Sequence, residues 1–428
     1  MKAYKNGYTK KGIIALCSLV YFVSYFSRKD FAAVMAGMIT DGAVDRANAG
    51  LIGTMLFIFY GVGQLLSGYL GDKIKPNYLI VIGLSSTAVC NALMPLIPEG
   101  MMIVVWGVNG LAQAMLWPPI VKILSTYLDH KTFVTANLVV TSAAHVATIL
   151  LYVFVPLCLT FMSWEMVFFT ASVLAVCSIV IFVTALGVIL PKNTEEMSTD
   201  NGEARTETSI DKVHESENLM SALKRSGVVT VFICIIVCGF LRDGIESWLP
   251  TLYSEAFDRD VSESTLLSII LPIFSIISIS AVTALHKRRS FNNEVKGTAI
   301  LLGAALLCAI PLAFFVGMQG KVFGIISLLL TALICAAMHG VNFLLISCLP
   351  GRFASIGRSA TVSGVCNSCI YIGAAISTYG IALISEKMGW SLTIVTWCLI
   401  LIIGIVFAFL SLKKYASMIN EKAESELQ

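Results

Sequence analysis

Apolar residues in this chain fall into long, nearly unbroken runs, not into the short alternation of a half-buried strand. Twelve runs can be marked: near 12–38, 48–70, 78–97, 101–127, 133–160 and 166–190, then near 227–256, 262–285, 297–317, 321–348, 357–385 and 391–412. Each is close to or above the ~20 residues that carry a helix across a hydrocarbon core. The stretch 191–226 breaks the series with eight acidic and five basic residues and many Ser, Thr and Asn. It cannot bury enough apolar surface to fold alone, so the pattern predicts a solvated linker carrying a short amphipathic helix. The expectation is an all-α membrane protein: a six-helix unit over 1–190, the linker, and a second six-helix unit over 227–428.

Composition supports that class. Of 428 residues, 57% are hydrophobic and only 13% charged, too little polar side chain to cover a soluble fold of this length. The first run follows Lys10 and Lys11 and continues to Asp41 without a small-residue cleavage site, so it is read as a retained span and not a removed signal peptide. Nearly all twelve cysteines lie inside apolar runs, where they act as small packing residues. The Cys366-x-x-Cys369 pair has no βαβ context for redox chemistry.

The distribution of charge matters more than the net +3. With both termini on one side, the loops and tails of that side hold 21 Lys and Arg, and the opposite loops hold only Arg46, Arg259, Lys321 and Lys387. The positive-inside rule therefore places both termini in the cytoplasm of a multi-pass plasma (inner) membrane protein. The other four cations, Arg28, Lys29, Lys122 and Arg242, fall within spans.

Arg28 sits about seventeen residues into the first span and Arg242 about fifteen into the seventh, near the midplane at ~1.5 Å per residue. First and seventh helices are equivalent in a fold made of two parallel repeats, so the arginines form a pseudo-symmetric pair. A guanidinium at the bilayer centre costs at least ~2.5–3.5 kcal/mol and is functional by default. Two of them offer planar donor forks matched to a tetrahedral oxyanion. The competing reading is structural: Asp30, Asp243 and Glu246 balance Arg28, Lys29 and Arg242, and Arg242 and Glu246, one turn apart, can pair.

Other positions carry narrower expectations. Gly68-Tyr69-Leu70-Gly71-Asp72-Lys73 between the second and third spans gives close helix approach and an acid, Asp72, to hold one state closed with Lys73 beside it. The equivalent loop of the second half, His286-Lys287-Arg288-Arg289, has no Gly or Asp and reads as a positive-inside anchor. Trp117-Pro118-Pro119 interrupts the fourth span's hydrogen-bond ladder, and Lys122 beyond it snorkels or pairs near a gate. His145 is a lone intramembrane imidazole able to donate to an anion and to titrate near neutrality. No nucleophile–base–orienter set or metal cluster marks an enzyme.

Six plus six spans around a long central loop is the plan of the major facilitator fold, and the Gly68–Lys73 loop resembles that fold's G-x-x-x-D-[RK] signature. Tyr21 through Phe31, Tyr60 through Pro76, Trp117 through His145, and Arg242-Asp243-Gly244-Ile245-Glu246-Ser247-Trp248-Leu249-Pro250-Thr251 together resemble the organophosphate:phosphate antiporter family of that superfamily. The resemblance implies a phosphate held by Arg28 and Arg242 with His145 between them, and a cavity lined by Tyr21, Tyr25, Tyr60 and Tyr371. It also implies exchange of a phosphate ester for inorganic phosphate. Lys29 and Gln64 join the binding positions, Gln64 where the glycerol-3-phosphate members have Lys. Glu246 is a candidate for coupling, in place of an Asp those members carry at position 247. The altered charge balance leaves the organic group open, with His339 and Asn342 placed to shape it. The expected partners are a phosphate ester, inorganic phosphate and the lipid bilayer, with no cofactor, metal or nucleic acid, and the chain acting as a monomer. Proton symport of another organic anion, and a transporter-like sensor of a phosphorylated metabolite, are the alternatives.

Overall fold

A computed structural model describes residues 7–189, 219–286, 293–318, 320–356 and 359–425, apart from some side chains within them. Every regular element among the described residues is helical. Lipid leaves no other way to satisfy each backbone N–H and C=O within a single span.

The first span is Gly7–Thr40 and the second Arg46–Lys73; Pro76–Leu93 is the third. The fourth is broken, as its prolines predict: Glu99–Ala114 stops, Met115 and Leu116 turn, and Trp117–Tyr127 restarts with proline in its first turn. His130–Phe161 and Glu165–Ile189 complete the first half. The seventh span, Val228–Ala256, follows a short helix, Leu219–Arg225, which is the described part of the expected linker; 190–218 lie outside the described residues. The eighth is interrupted at Ser268 and Ile269, between Val261–Leu267 and Ile270–His286. The ninth is Glu294–Phe315, and the tenth, Lys321–Asn342, runs on as a π-helical turn over Phe343–Cys348. A last helical run, Ser359–Ser425, changes course at Gly389, whose φ of 80° is open to glycine.

Ten of these helices are long and apolar enough to cross a membrane, the tenth being the 59-residue run Thr361–Ile419. Divided at Gly389 that run is long enough for two spans, and Arg46–Lys73 is a further long helix, so the described helices are consistent with the expected twelve-span fold. The described last helix reaches Ser425, beyond the expected end near 412.

Loop Asp and Asn side chains fix several helix starts. Asp129 caps the fifth span by accepting from the Thr132 amide, and Asp260 and Asn293 do the same for the eighth and ninth. Asp129 also accepts from Lys10 Nζ, tying the first span to the fifth; this bond, then those from Thr132, hold its carboxyl well below the ordinary carboxylate range.

Close packing depends on glycine at two reciprocal points. A Cβ at Gly239 in the seventh span would lie 2.0 Å from Ile370 O, and one at Gly373 in the eleventh span 2.1 Å from Ile236 O. These two backbones touch because neither position carries a side chain. Gly239→Ala and Gly373→Ala are each expected to destabilise by about 1–3 kcal/mol or more through overpacking. Thermal unfolding in detergent measures this against Gly380→Ala, where an added Cβ meets nothing within 4 Å. Midpoints equal to that control would refute the contact.

The second and eleventh spans close the two halves together towards the end that carries Arg46. An added Cβ at Gly50 would meet Ala382 Cβ at 2.7 Å, and one at Gly53 would meet Thr378 Cγ2 at 2.9 Å. Thr54 Oγ1 donates to Ala375 O at 2.9 Å, and Tyr60 packs on Tyr371 with ring centroids 4.5 Å apart. Arg46 pairs with Glu255 at the end of the seventh span, and Trp390 Nε1 donates to the same carboxylate at 2.8 Å. A cavity of about 630 Å³ lies at the other end, against Lys11, Ser18 and Phe22 of the first span and Val139 of the fifth. Ser18, Phe22, Tyr25 and Lys29 recur every three or four residues, so Lys29 lies on the same helix face as the first-span residues that line the cavity, two turns beyond Phe22.

Candidate functional site

The arginine of the first half is held by aromatic rings. Its guanidinium carbon lies 4.3 Å from the Tyr25 ring centroid and 4.9 Å from that of Tyr60. Tyr25 is one turn before Arg28 on the same helix, whereas Tyr60 comes from the second span and Tyr371, packed against it at a tilt, from the other half. Tyr21 extends the aromatic wall, 5.0 Å from Tyr25 and 4.7 Å from Trp117 at the fourth-span break. Cation–π contact holds the side chain while leaving its N–H fork uncommitted. No carboxylate pairs with Arg28 among the described residues.

Arg242 is held differently. It donates to Asp243 Oδ2 at 2.6 Å and to Asn342 Oδ1 at 2.8 Å. The i,i+4 pairing with Glu246 weighed from the sequence is replaced by the adjacent acid. Tyr25 and Tyr371 each lie within electrostatic reach of both arginines, so the two cations face one region.

Glu246 crosses the middle of the molecule. One oxygen pairs with Lys29 of the first half and the other with His339 Nε2 of the tenth span at 2.8 Å. The Tyr152 hydroxyl of the fifth span donates to the Glu246 backbone carbonyl at 3.3 Å. His145 joins from the same helix, its ring centroid 6.3 Å from that of His339 and its Nδ1 3.1 Å from Thr141 O. This places His145 beside the Lys29–Glu246–His339 group, whereas the resemblance implied a position between Arg28 and Arg242. Lys29 and Glu246 are only 11% and 16% exposed, so their attraction is little screened by water.

The balance of three acids against three bases does not hold in space. Lys29 and Arg242 have acidic partners, Arg28 has none, and Asp30 is buried with no basic partner among the described residues. Among the described residues the centre therefore carries one cation without an acidic partner, set among tyrosines.

Other predicted positions fall outside this group. Gln64 Nε2 reaches Ala114 O at 3.5 Å, at the carbonyl freed by the fourth-span break. Lys122 is exposed on Trp117–Tyr127, below that break. The side chains of Asp72 and Lys73, and of the residues around them in that motif, lie outside the described residues, as does Lys287-Arg288-Arg289. Cys366 and Cys369 are free thiols. Glu246, Cys335 and His339 place one ligand atom each within 4.8 Å of one another, but the carboxylate is already committed to Lys29 and His339. Sequence reading did not pair Lys29 with Glu246, nor Arg46 with Glu255. Each pair joins residues more than two hundred positions apart.

Fold and site define a polytopic helical membrane protein with a charged centre between two packed halves. Residues 17–378 match the Major Facilitator Superfamily model, and the chain belongs to that family. Its relatives lie in the organophosphate branch to which the sequence resemblance pointed. A probable hexose phosphate transport protein of Chlamydia trachomatis is 36% identical over 127 residues, 29% of this chain and 27% of that protein. The human sugar phosphate exchanger 3 is 24% identical over 378 residues, 80% of this chain and 75% of that one. The first of these matches thus spans about a quarter of the relative's own length. Among solved structures, a bacterial homologue of the human lysosomal transporter Spinster, inward-facing and unoccupied, superposes with a TM-score of 0.73 over 96% of this chain and 99% of that one. At 14% identity the match shows the fold alone.

Proposed function

We propose that this protein is a secondary transporter that carries a phosphorylated small organic anion, exchanging it for inorganic phosphate by alternating access around Arg28 and Arg242. The observation that carries the reading is Arg28, which has no acidic partner among the described residues and lies against the Tyr25 and Tyr60 rings, with Tyr25 and Tyr371 in electrostatic reach of Arg242 as well. A phosphate dianion supplies the missing negative charge and accepts from both guanidiniums. Residues 1–190 and 227–428 act as the moving halves and 191–226 as their tether. Both termini face the cytoplasm of the plasma (inner) membrane, which makes the Arg46 end the outer one. On that orientation the zip of Gly50, Gly53 and Thr54 against Thr378 and Ala382, with Arg46–Glu255, is the outer closure. The cavity against Lys11 and Ser18 then opens to the cytoplasm.

Lys29, Glu246 and His339 link the halves at the same level, so an anion that draws Lys29 away loosens that link while strengthening the one through the arginines. The chemistry is recognition and movement, and no step makes or breaks a covalent bond. One observation favours a second reading: Glu246, His339 and His145 form a line of titratable groups suited to carrying a proton with an organic anion.

Proteoliposomes separate the two. Preloaded with inorganic phosphate, they are expected to take up labelled phosphate or sugar phosphate, to stop when internal phosphate is omitted, and to ignore a pH gradient. Uptake driven by an inward proton gradient without internal phosphate would overturn exchange in favour of symport. Anion binding without any transport would overturn both and mark a sensor.

A further inference from the structure

Cys335 brings a thiol to the charged centre. Its Sγ, a carboxylate oxygen of Glu246 and a ring nitrogen of His339 all lie within 4.8 Å of one another. Cys335 and His339 are four residues apart on the tenth span, so one helix face presents both, and Glu246 reaches them from the seventh. The cysteines of that seventh span spend their thiols on backbone carbonyls, Cys234 on Gly404 O at 3.3 Å and Cys238 on Met338 O at 3.2 Å. Cys335 makes no such bond among the described residues. A cysteine that only fills space needs no polar neighbours, so packing does not account for a thiol set beside a carboxylate and an imidazole.

A fourth donor stands nearby in the first half. His145 Nδ1 lies 3.1 Å from Thr141 O. A carbonyl takes a donor, so the neutral ring carries its proton on Nδ1 and keeps a lone pair at Nε2. That second hydrogen bond is the outer-shell support that metal-ligating histidines use. The His145 and His339 ring centroids are 6.3 Å apart. Two imidazoles on one tetrahedral zinc, each bound at ~2.0–2.1 Å, have centroids about 5 Å apart. Side-chain rotation closes that difference, and the Glu246–His339 hydrogen bond of 2.8 Å opens to admit the ion.

We infer that Glu246, Cys335 and His339 form a zinc site at the centre of the molecule, with His145 as the ligand that ties it to the first half. A thiolate, a carboxylate and imidazole nitrogen make a donor set that zinc accepts in tetrahedral geometry. Binding breaks the Cys335 S–H bond and forms Zn–S, and the thiol proton leaves to water. Any proton on His339 Nε2 moves to Nδ1 or to water as that nitrogen binds. Thiolate and carboxylate together cancel the dication, so Lys29 and Arg242 meet a neutral group. Lys29 takes only one oxygen of Glu246, which leaves the other for the metal. Glu246 and His339 keep 16% and 13% of their side chains exposed, so the ion meets them first and then Cys335, which is 0% exposed. The ligands belong to the fifth, seventh and tenth spans, and a bound ion therefore holds together halves that an exchange cycle must part. The metal site stands apart from the exchange reading; only the arrest of transport rests on it.

The test uses full-length protein without a histidine tag, purified in detergent and titrated with cobalt(II), whose spectrum reports its ligands. The expected result is one zinc-displaceable cobalt per chain, with the visible bands of a tetrahedral ion and a thiolate-to-cobalt charge-transfer band in the near ultraviolet. The charge-transfer band is expected to vanish in Cys335→Ala, and Cys335→Ser repeats the comparison if that variant fails to fold. In proteoliposomes zinc is expected to stop phosphate exchange. Half-inhibition of Cys335→Ala should need at least about 10-fold more zinc, the loss that even an outer-shell change brings. No thiolate band, or the same band with and without Cys335, would overturn the site. Zinc held at Cys335 with exchange undiminished would overturn the tie through His145. Thiolate-bound cobalt in a protein that moves no phosphate or phosphate ester would leave the site standing and remove the transport reading. Phosphate exchange without thiolate-bound cobalt would do the reverse.

Discussion

Arg28→Lys is expected to lower phosphate-linked uptake about 100-fold while leaving the protein folded. Lysine keeps the charge and loses the planar fork, so a tetrahedral anion forfeits about two charge-assisted hydrogen bonds of ~1.5–3 kcal/mol each, offset in part by the ammonium's own contact. A net loss near 3 kcal/mol corresponds to about two powers of ten. The geometry sharpens the expectation. Tyr25 and Tyr60 clamp a flat guanidinium at 4.3 and 4.9 Å, and a compact ammonium on a flexible stem is not oriented by that slot. Arg242→Lys is expected to lose transport as well, though its ammonium can still meet Asp243 and so keeps one of two anchors. Uptake is measured in proteoliposomes at matched protein content, with size-exclusion profiles as the folding control. Near-normal uptake in both variants would sink the arginine clamp.

Glu246→Gln is expected to act in the opposite sense on binding and turnover. Removing the carboxylate frees Lys29 and raises the charge of the centre by one. At ~6 Å and an effective dielectric near 20, one unit of charge is worth about 3 kcal/mol to a bound monoanion, with water and relaxation reducing that figure. Inorganic phosphate should then bind tighter by about 10-fold or more, and turnover should fall by at least as much, because the anion must leave the same site on every cycle. The measurement is half-saturation and maximal rate of phosphate exchange in one assay. A weaker half-saturation with unchanged maximal rate would mean that Glu246 contacts substrate directly and does not restrain Lys29.

These expectations rest on pairings that depend on where the chain meets itself. Local spacing made Arg242 and Glu246 candidates for each other, since four residues is one helical turn. In the folded protein Asp243 takes Arg242 instead, and Glu246 turns to Lys29 and His339, 217 and 93 residues away. The three-to-three balance of charge was arithmetic along the chain. Among the described residues it leaves Arg28 without an acid and Asp30 without a base, and the proposed anion site rests on the first of those facts. The His145 environment was legible only as intramembrane; its neighbour His339 comes from the tenth span.

The sequence by itself determined what a membrane dictates locally. Runs of apolar residues must become helices because lipid offers no partner to a free amide, and lysines and arginines gather on one side because crossing the bilayer is costly for them. The same costs picked out Arg28 and Arg242 by depth alone, and Trp117-Pro118-Pro119 by its missing donors. The tertiary structure decided which charges meet, which remain alone, and which end of the molecule is closed. Those outcomes depend on helix rotation and on backbone approach at glycines such as Gly50 and Gly239, where a displacement of a few ångströms changes a partner. Hydropathy averaged along a single helix carries no information about that distance.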